Sequence, residues 1–202
     1  MSREDKKTKI LKAAELAYAE EGSNFSLRTV TKLAKVNVAA VNYYFQSKTN
    51  LLEIMAERII GKLIQNQMEN LEQLRRKETF TIQELVAAFV QPFFRFEEEE
   101  DEFESRSKLL GILLLDKSPE MREVFSLKTI EVDEQYQTTF QVLLPHLEAD
   151  ELEWRYKNMI GLIINNVSEL LPLKELETLE MKEKNERVMK WIIQFATAGL
   201  IN

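Results

Sequence analysis

Residues Ser26 to Phe45 read SLRTVTKLAKVNVAAVNYYF, and this stretch decides the fold. It holds two short helical patterns separated by a tight break. The first starts at Ser26, an N-cap residue type, and spaces Leu27, Val30, Leu33 and Ala34 as one buried face of a short helix. The second follows Asn37, another cap type. Val41 and Phe45 turn inward, leaving Val38, Ala39, Asn42 and Tyr43 outward. Two helices joined by a few residues at a steep angle make a helix-turn-helix, whose second helix fits a DNA major groove. A plain helical hairpin in an all-α core has the same periodicity. The outward face favours DNA, because a solvated face is normally rich in Glu, Lys and Gln. Small apolar groups can meet thymine methyls, Asn can bond an adenine edge, and a Tyr hydroxyl can reach a phosphate.

Upstream, Lys6 to Glu21 reads as a first helix with Ile10, Ala13, Ala14, Ala17 and Tyr18 as its buried stripe and Gly22 as its stop. Phe25, just before the Ser26 cap, is placed to staple the entry of the next helix. Arg3, Lys6, Lys7 and Lys9 form either a phosphate-seeking arm or a solvated basic end. Downstream, Ser47 caps a fourth helix with Lys48 in its first turn, and Leu51, Leu52, Met55, Ile59, Leu63, Leu71 and Leu74 carry an apolar stripe to about Arg76. A lysine there opposes the helix macrodipole by roughly 0.3–1 kcal/mol, unless an external anion shares the site with the backbone N–H groups.

VNYYFQSKTNLL, residues 41–52, resembles the signature of the TetR family of bacterial transcriptional repressors. In that family the recognition helix ends in Tyr-x-Phe or Tyr-His-Phe, followed by Ser-Lys and a Leu-rich helix. The resemblance extends upstream through KILKAAELAYAEEGSNFSLRTVTKLAKV, residues 9–36, and is close over the first quarter of the chain. It implies an all-α protein of about nine helices. A three-helix DNA-binding domain would span residues 1–47, and a larger helical effector-binding and dimerisation domain residues 48–202. Residues 48–76 would form the connecting helix, whose movement transmits ligand binding in the family. The implied DNA-binding set is Arg28, Lys35, Asn37, Val38, Ala39, Asn42, Tyr43, Tyr44 and Lys48. Asn37, Tyr43 and Lys48 would touch phosphate, and Val38, Ala39 and Asn42 would face base edges. Lys35 stands where the family usually has glycine. If the turn needs a positive φ, Lys there costs on the order of 1 kcal/mol relative to Gly. A slightly different turn and a phosphate contact are both open.

The totals agree with this outline. The chain has 202 residues, enough for one or two domains, and its five Gly and four Pro favour long helices over sheet. It has no Cys, which excludes disulfides and thiolate sites and fits the cytoplasm. The longest apolar run, Leu109 to Leu115, is far short of the ~18 residues of a membrane span, and the N-terminus is charged, so a cytoplasmic protein without a membrane partner is expected. The net charge is −7, but residues 1–48 hold nine Lys/Arg and five acids, 9 − 5 = +4, leaving −7 − 4 = −11 for the remainder. A basic head on an acidic body can bind DNA through one end.

In the body, Thr81 and Glu84 make a capping box for an apolar helix to Phe96, which Pro92 should bend. The acidic run Glu97 to Glu104 reads as a solvated segment rather than a metal site, since no His is near it. Lys108 to Leu115 should lie buried. Ser118-Pro119 restarts a helix carrying Met121, Val124, Phe125, Ile130, Tyr136, Phe140 and Leu144, which stops at Pro145. His146, just beyond, has no nucleophile placed for it and suits a capping or surface role. Asp150 and Glu153 make another capping box, for a helix through Leu171. A final helix is expected near Asn185 to Ala198.

The aromatic and Met side chains Phe89, Phe93, Phe94, Phe96, Phe103, Met121, Phe125, Tyr136 and Phe140 are plain core or the lining of an apolar pocket; residue identity leaves both open. The family resemblance favours a pocket for an unknown small-molecule effector. The last two helices carry more apolar residues than one buried stripe needs: Trp154, Tyr156, Ile160, Ile163, Ile164 and Val167, then Val188, Trp191, Ile192 and Phe195. A homodimer in which each subunit adds both helices to a four-helix bundle would cover the surplus. Three functions follow. The first is a dimeric repressor of palindromic double-stranded DNA, released by an apolar or amphipathic effector through movement of the Ser47–Arg76 helix. The second is a helix-turn-helix protein controlled by a protein partner or acting without a ligand. The third, an all-α enzyme, lacks any metal-ligand spacing, phosphate loop or nucleophile–base pair. No cofactor is implied.

Overall fold

The computed structural model describes residues 3–95, 100–169 and 172–202, without the side chains of residues 3, 4, 23 and 100–107. Among these residues there are nine α-helices and no strand. The first three are α1 (Arg3–Glu21), α2 (Leu27–Ala34) and α3 (Val38–Phe45). They close around Ile10, Ala14, Ala17, Tyr18, Phe25, Val30, Val41 and Phe45, each with no exposed surface. Gly22 ends α1 at φ +61°, and the Ser26 hydroxyl accepts the Thr29 N–H as the cap of α2. One expectation for α2 fails: Leu33 is exposed, and Thr31 takes the inward place, donating to the Arg28 carbonyl.

The long α4 (Lys48–Arg75) runs from this head into the body, capped by Ser47 Oγ, which accepts the Asn50 N–H. Its apolar stripe lies along α7 (Pro119–Leu143) and under α5 (Ile82–Val90). Thr81 and Glu84 close the expected capping box, with Lys77 Nζ 2.7 Å from the Glu84 carboxylate. These bonds hold the Glu84 pKa down to about 2, the Lys77 hydrogen bond contributing most. Pro92 does not bend α5 but ends it, and a single tight turn of residues 91–93 follows. Two carbonyls at that end are taken by α4 instead. Asn70 Nδ2 donates to Ala88 O at 3.1 Å, replacing the N–H that Pro92 lacks, and the buried Gln67 donates to Phe89 O at 3.1 Å.

The body is completed by α6 (Glu100–Leu115), α8 (Ala149–Val167) and α9 (Met181–Ile201). Leu109, Leu110 and Leu113 of α6 are buried, but Lys108 and Leu115 are exposed, so this helix is not covered all round. On α7, Ser118 and Pro119 start the helix as expected, while Ile130 is exposed rather than inward. The expected cap at Asp150 is displaced. Helix α8 begins earlier, after Glu148, with no side-chain cap, and Asp150 Oδ1 accepts only the Glu151 N–H. It ends at Val167, and Leu170 and Leu171, expected to be helical, lie outside the described residues. Helix α9 is longer than expected at both ends and continues through Gly199. Its last carbonyls are capped from α8, Arg155 Nη1 donating to Gly199 O and Leu200 O.

Candidate nucleic-acid interface

The turn between α2 and α3 is built on a left-handed residue. Lys35 has φ 53° and ψ 45°; its N–H donates to Lys32 O, and the Val36 N–H reaches back to Thr31 O. That pair of bonds is the Schellman arrangement, in which glycine is the usual residue. The positive φ that the sequence left open is therefore present, with lysine bearing it. Asn37 then caps α3, its Oδ1 accepting the Ala40 N–H at 2.9 Å. The capping role occupies that oxygen and leaves only the Asn37 amide nitrogen as a donor toward an anion.

Helix α3 buries Val41 and Phe45 completely and turns Val38, Ala39, Asn42 and Tyr43 to solvent. Tyr43 is 63% exposed, its ring set edge-on to Tyr44 at 5.1 Å between centroids. Tyr44 is half-buried against the core, which limits it to the edge of the outward face. No residue of α3 is charged. Cations come instead from the flanks: Arg28 on α2, Lys35 in the turn and Lys48 at the start of α4 are all at least partly exposed. Lys48 Nζ sits 4.8 Å from the centre of the Phe25 ring, so a cation–π contact orients its ammonium beside α3.

Two features of this head were not read from the sequence. Gln46, between α3 and α4, has φ 63° and ψ −46°, and the Ser47 N–H donates to Phe45 O across it at 2.6 Å. This is the γ-turn of positive φ, which is rare and strained. Asn50 Nδ2 also donates to Phe45 O, at 2.9 Å, so the junction is held from both sides. The second feature ties head to body. Tyr18, fully buried in α1, donates its hydroxyl to Asp116, which follows α6 and whose other oxygen accepts the Ser118 N–H at 2.7 Å. Burial opposes ionisation of Asp116, but the bonds from Tyr18 and Ser118 outweigh it and hold its pKa below the usual carboxylate range. Burial, with Asp116 beside it, pushes the Tyr18 phenol up. Neither spacing nor periodicity in the sequence links residues so far apart.

In the body the residues expected to line a pocket form packed core. Phe89 meets Tyr136 at 4.9 Å and Tyr156 at 5.4 Å, ring centre to ring centre, and Phe140 meets Tyr156 at 6.2 Å. Tyr136 donates to Gln67 O at 2.8 Å and Tyr156 to Asp133 at 2.8 Å. Phe93, Phe94 and Met121 are buried and Phe125 partly so, while Phe96 and the side chain of Phe103 fall outside the described residues. A cleft of about 410 Å³ opens elsewhere, between α6, the end of α8 and the start of α9, and none of these rings lines it.

The residues expected at a dimer interface divide in two. Tyr156, Val167 and Val188 belong to the subunit's own core, because α8 and α9 pack on each other and on α5, α6 and α7. Trp154, Trp191 and Phe195 are 66%, 48% and 72% exposed, and Ile160 and Ile164 are half-buried. No described helix is long and apolar enough to cross a membrane.

A helix pair joined by a three-residue turn, with an uncharged outer face and set on an all-helical body, defines a transcription regulator of the helix-turn-helix class. Residues 10–55 match the family described as bacterial regulatory proteins, tetR family, and residues 87–199 match the tetracyclin repressor-like C-terminal domain. The chain belongs to the TetR family. Solved structures with the same fold include SmeT, the repressor of the Stenotrophomonas maltophilia multidrug efflux pump SmeDEF. It is 20% identical, with a TM-score of 0.61 over 94% of this chain and 89% of that one. FadR from Bacillus subtilis, solved with stearoyl-CoA, is 17% identical, with a TM-score of 0.63 over 92% and 97%. A transcriptional regulator from Rhodococcus sp. Rha1 is 16% identical, with a TM-score of 0.63 over 96% of each chain. No curated protein matches the sequence.

Proposed function

We propose that this chain is a dimeric repressor that binds palindromic operator DNA through α3 and is released by a small apolar or amphipathic effector. The observation that carries the reading is the outer face of α3, where Val38, Ala39, Asn42 and Tyr43 stand exposed on a helix held rigid by Val41 and Phe45. Val38 and Ala39 would meet thymine methyls and Asn42 an adenine edge. Tyr43, Lys48, Arg28, Lys35 and the free amide of Asn37 would take phosphates. Residues 1–47 would act as the reading head and residues 48–76 as the connector. Trp154, Trp191 and Phe195 would pair with a second copy, and helix-turn-helix dimers read half-sites about one turn, ~34–36 Å, apart or a multiple of it. FadR with stearoyl-CoA and SmeT with triclosan support an effector of apolar or amphipathic kind.

Control by a protein partner keeps one observation in its favour, the packing of Phe89, Tyr136, Phe140 and Tyr156 against one another. Selection of bound sequences from a random duplex pool tests the first reading, which expects an inverted repeat. Asn42→Ala should then cost ~1–3 kcal/mol at one position of each half-site, and Lys48→Ala should weaken all sequences alike. Recovery of no enriched sequence at low salt would overturn it.

A further inference from the structure

The described lining of the cleft between α6, α8 and α9 sets two lysines, Lys108 and Lys184, beside one acid, Glu169, 2 − 1 = +1, whereas residues 49–202 together carry −11. Ile112, Leu115 and Val188 give the cleft an apolar wall, and its volume of about 410 Å³ lies within the range of small-molecule sites, roughly 300–1,000 Å³. Lys184 is the unusual member. Its side chain is only 14% exposed, and its ammonium is paired with the carboxylate of Glu169, which is 47% exposed. Glu169 follows the end of α8 at φ 51°, a conformation that favours glycine. A strained residue thus supplies the partner of a nearly buried cation. An entering carboxylate can replace Glu169 on Lys184 without leaving the ammonium unpaired, which a cation or a neutral polar group cannot do.

The floor of the cleft leads to the head. Gly111 lies so close to the end of α8 that a Cβ there would stand 2.7 Å from Val167 O, so α6 rests backbone to backbone on α8. A ligand that presses on the α6 wall of the cleft therefore displaces α6. Helix α6 ends at Leu115, itself in the cleft wall, and the next residue, Asp116, holds the Tyr18 hydroxyl inside the head.

We propose that this cleft binds an anionic amphiphile, its carboxylate taking over Lys184 from Glu169 and its chain lying on Ile112, Leu115 and Val188, and that occupation is passed through α6 and Asp116 to Tyr18. The proposal rests on the regulator reading above, and places its effector outside the packed rings of the body.

Calorimetric titration of the full chain with decanoate, decanol and decyltrimethylammonium, each below its aggregation concentration, reads the site without DNA. Decanoate is expected to bind at least tenfold tighter than either of the others. Lys184→Met should weaken decanoate about tenfold or more, and Glu169→Gln should tighten it several-fold by removing the competitor, an effect that mere loss of structure cannot produce. Ile112→Trp, with its helical content checked by circular dichroism, should abolish binding. Equal binding of the cationic amphiphile, or decanoate binding unchanged by Lys184→Met and Ile112→Trp, would overturn the site. With the operator selected as above, decanoate should lower DNA affinity about tenfold. Tyr18→Phe should keep decanoate affinity within about twofold yet lose most of that response. A response that survives Tyr18→Phe overturns the route, and failure to bind DNA at all overturns the regulator reading while the calorimetry still decides the cleft.

Discussion

The head and the body use the same material, amphipathic helices around aliphatic and aromatic cores, yet only the head declares its surface. In the head each helix that follows α1 is eight residues long and has a capping side chain at its start. With so few positions, an apolar residue is either part of the inward stripe or conspicuous. The uncharged outer face of α3 stands out for that reason. In the body every described helix but the nine-residue α5 runs 16 to 28 residues, and where apolar side chains exceed one buried stripe, periodicity does not say which neighbour covers which face. The proposed interface for DNA is thus read against a polar background, whereas an interface for a second copy or a ligand must be separated from core.

The contrast breaks most sharply on α9. Val188 is 5% exposed and Trp191 and Phe195 are 48% and 72% exposed, although all three belong to the apolar surplus of one helix. Val188→Asp places an unpaired charge in the core and should abolish cooperative thermal unfolding. If the proposed dimer forms through these side chains, Trp191→Asp combined with Phe195→Asp leaves the helical signal and its cooperativity in place while sedimentation changes from dimer to monomer. A double variant that remains dimeric would move the subunit contact elsewhere.

The next effect lies at the end of α5. Gln67 is 2% exposed and its amide satisfies Phe89 O, a carbonyl left open where Pro92 stops the helix. Gln67→Leu preserves bulk but strands that carbonyl, and should cost ~1–3 kcal/mol in urea unfolding. A cost near zero would show that the carbonyl finds another donor. The sequence signalled the break through Pro92 but not its remedy, because a proline marks where hydrogen bonds are lost and says nothing of which side chain 22 residues away replaces them.

The same limit explains what else was legible. The caps at Ser26, Asn37, Ser47, Thr81 and Ser118 are local, decided by a side chain and the N–H three residues on, and all five stand as read. Asp150 had the right residue type, but α8 starts two residues earlier than a cap there would place it, at Ala149 after Glu148. Leu33 and Ile130 fit the helical period and are exposed because nothing packs over them, while Thr31 is inward because its hydroxyl can bond the Arg28 carbonyl. The Tyr18–Asp116 bond joins residues 98 positions apart, and the strain at Gln46 appears only when the two helices it joins are both fixed. Local chemistry is written in the sequence; the choice among several apolar faces, and bonds between distant elements, follow from the packed whole.

Strain offers a way to sharpen the account of the head. Gln46 holds a γ-turn that costs ~1–3 kcal/mol, and Gln46→Gly relieves it at the expense of up to ~1 kcal/mol of added freedom in the unfolded chain. A net gain of about 1 kcal/mol in unfolding free energy is expected. Operator affinity should fall alongside it, because the angle at which α3 leaves α4 is no longer fixed. A variant both more stable and tighter on DNA would show that the strained turn positions nothing.

Lys35 is the smallest case and the most discriminating. It occupies the left-handed position of the α2–α3 turn, where glycine would be cheaper, and its side chain is exposed. Relief of strain and the greater unfolded freedom of glycine nearly offset each other, so Lys35→Gly should stabilise the head by only about 0.5 kcal/mol. The two explanations of the lysine part company on DNA. If the charge meets a phosphate, Lys35→Gly lowers affinity for every duplex and flattens the salt dependence by about one unit. If the turn merely tolerates lysine, neither changes. The phosphate contact is the expected outcome, since Lys35 lies at the approach to α3, a helix with no charge of its own, and the cations flanking it must supply the attraction.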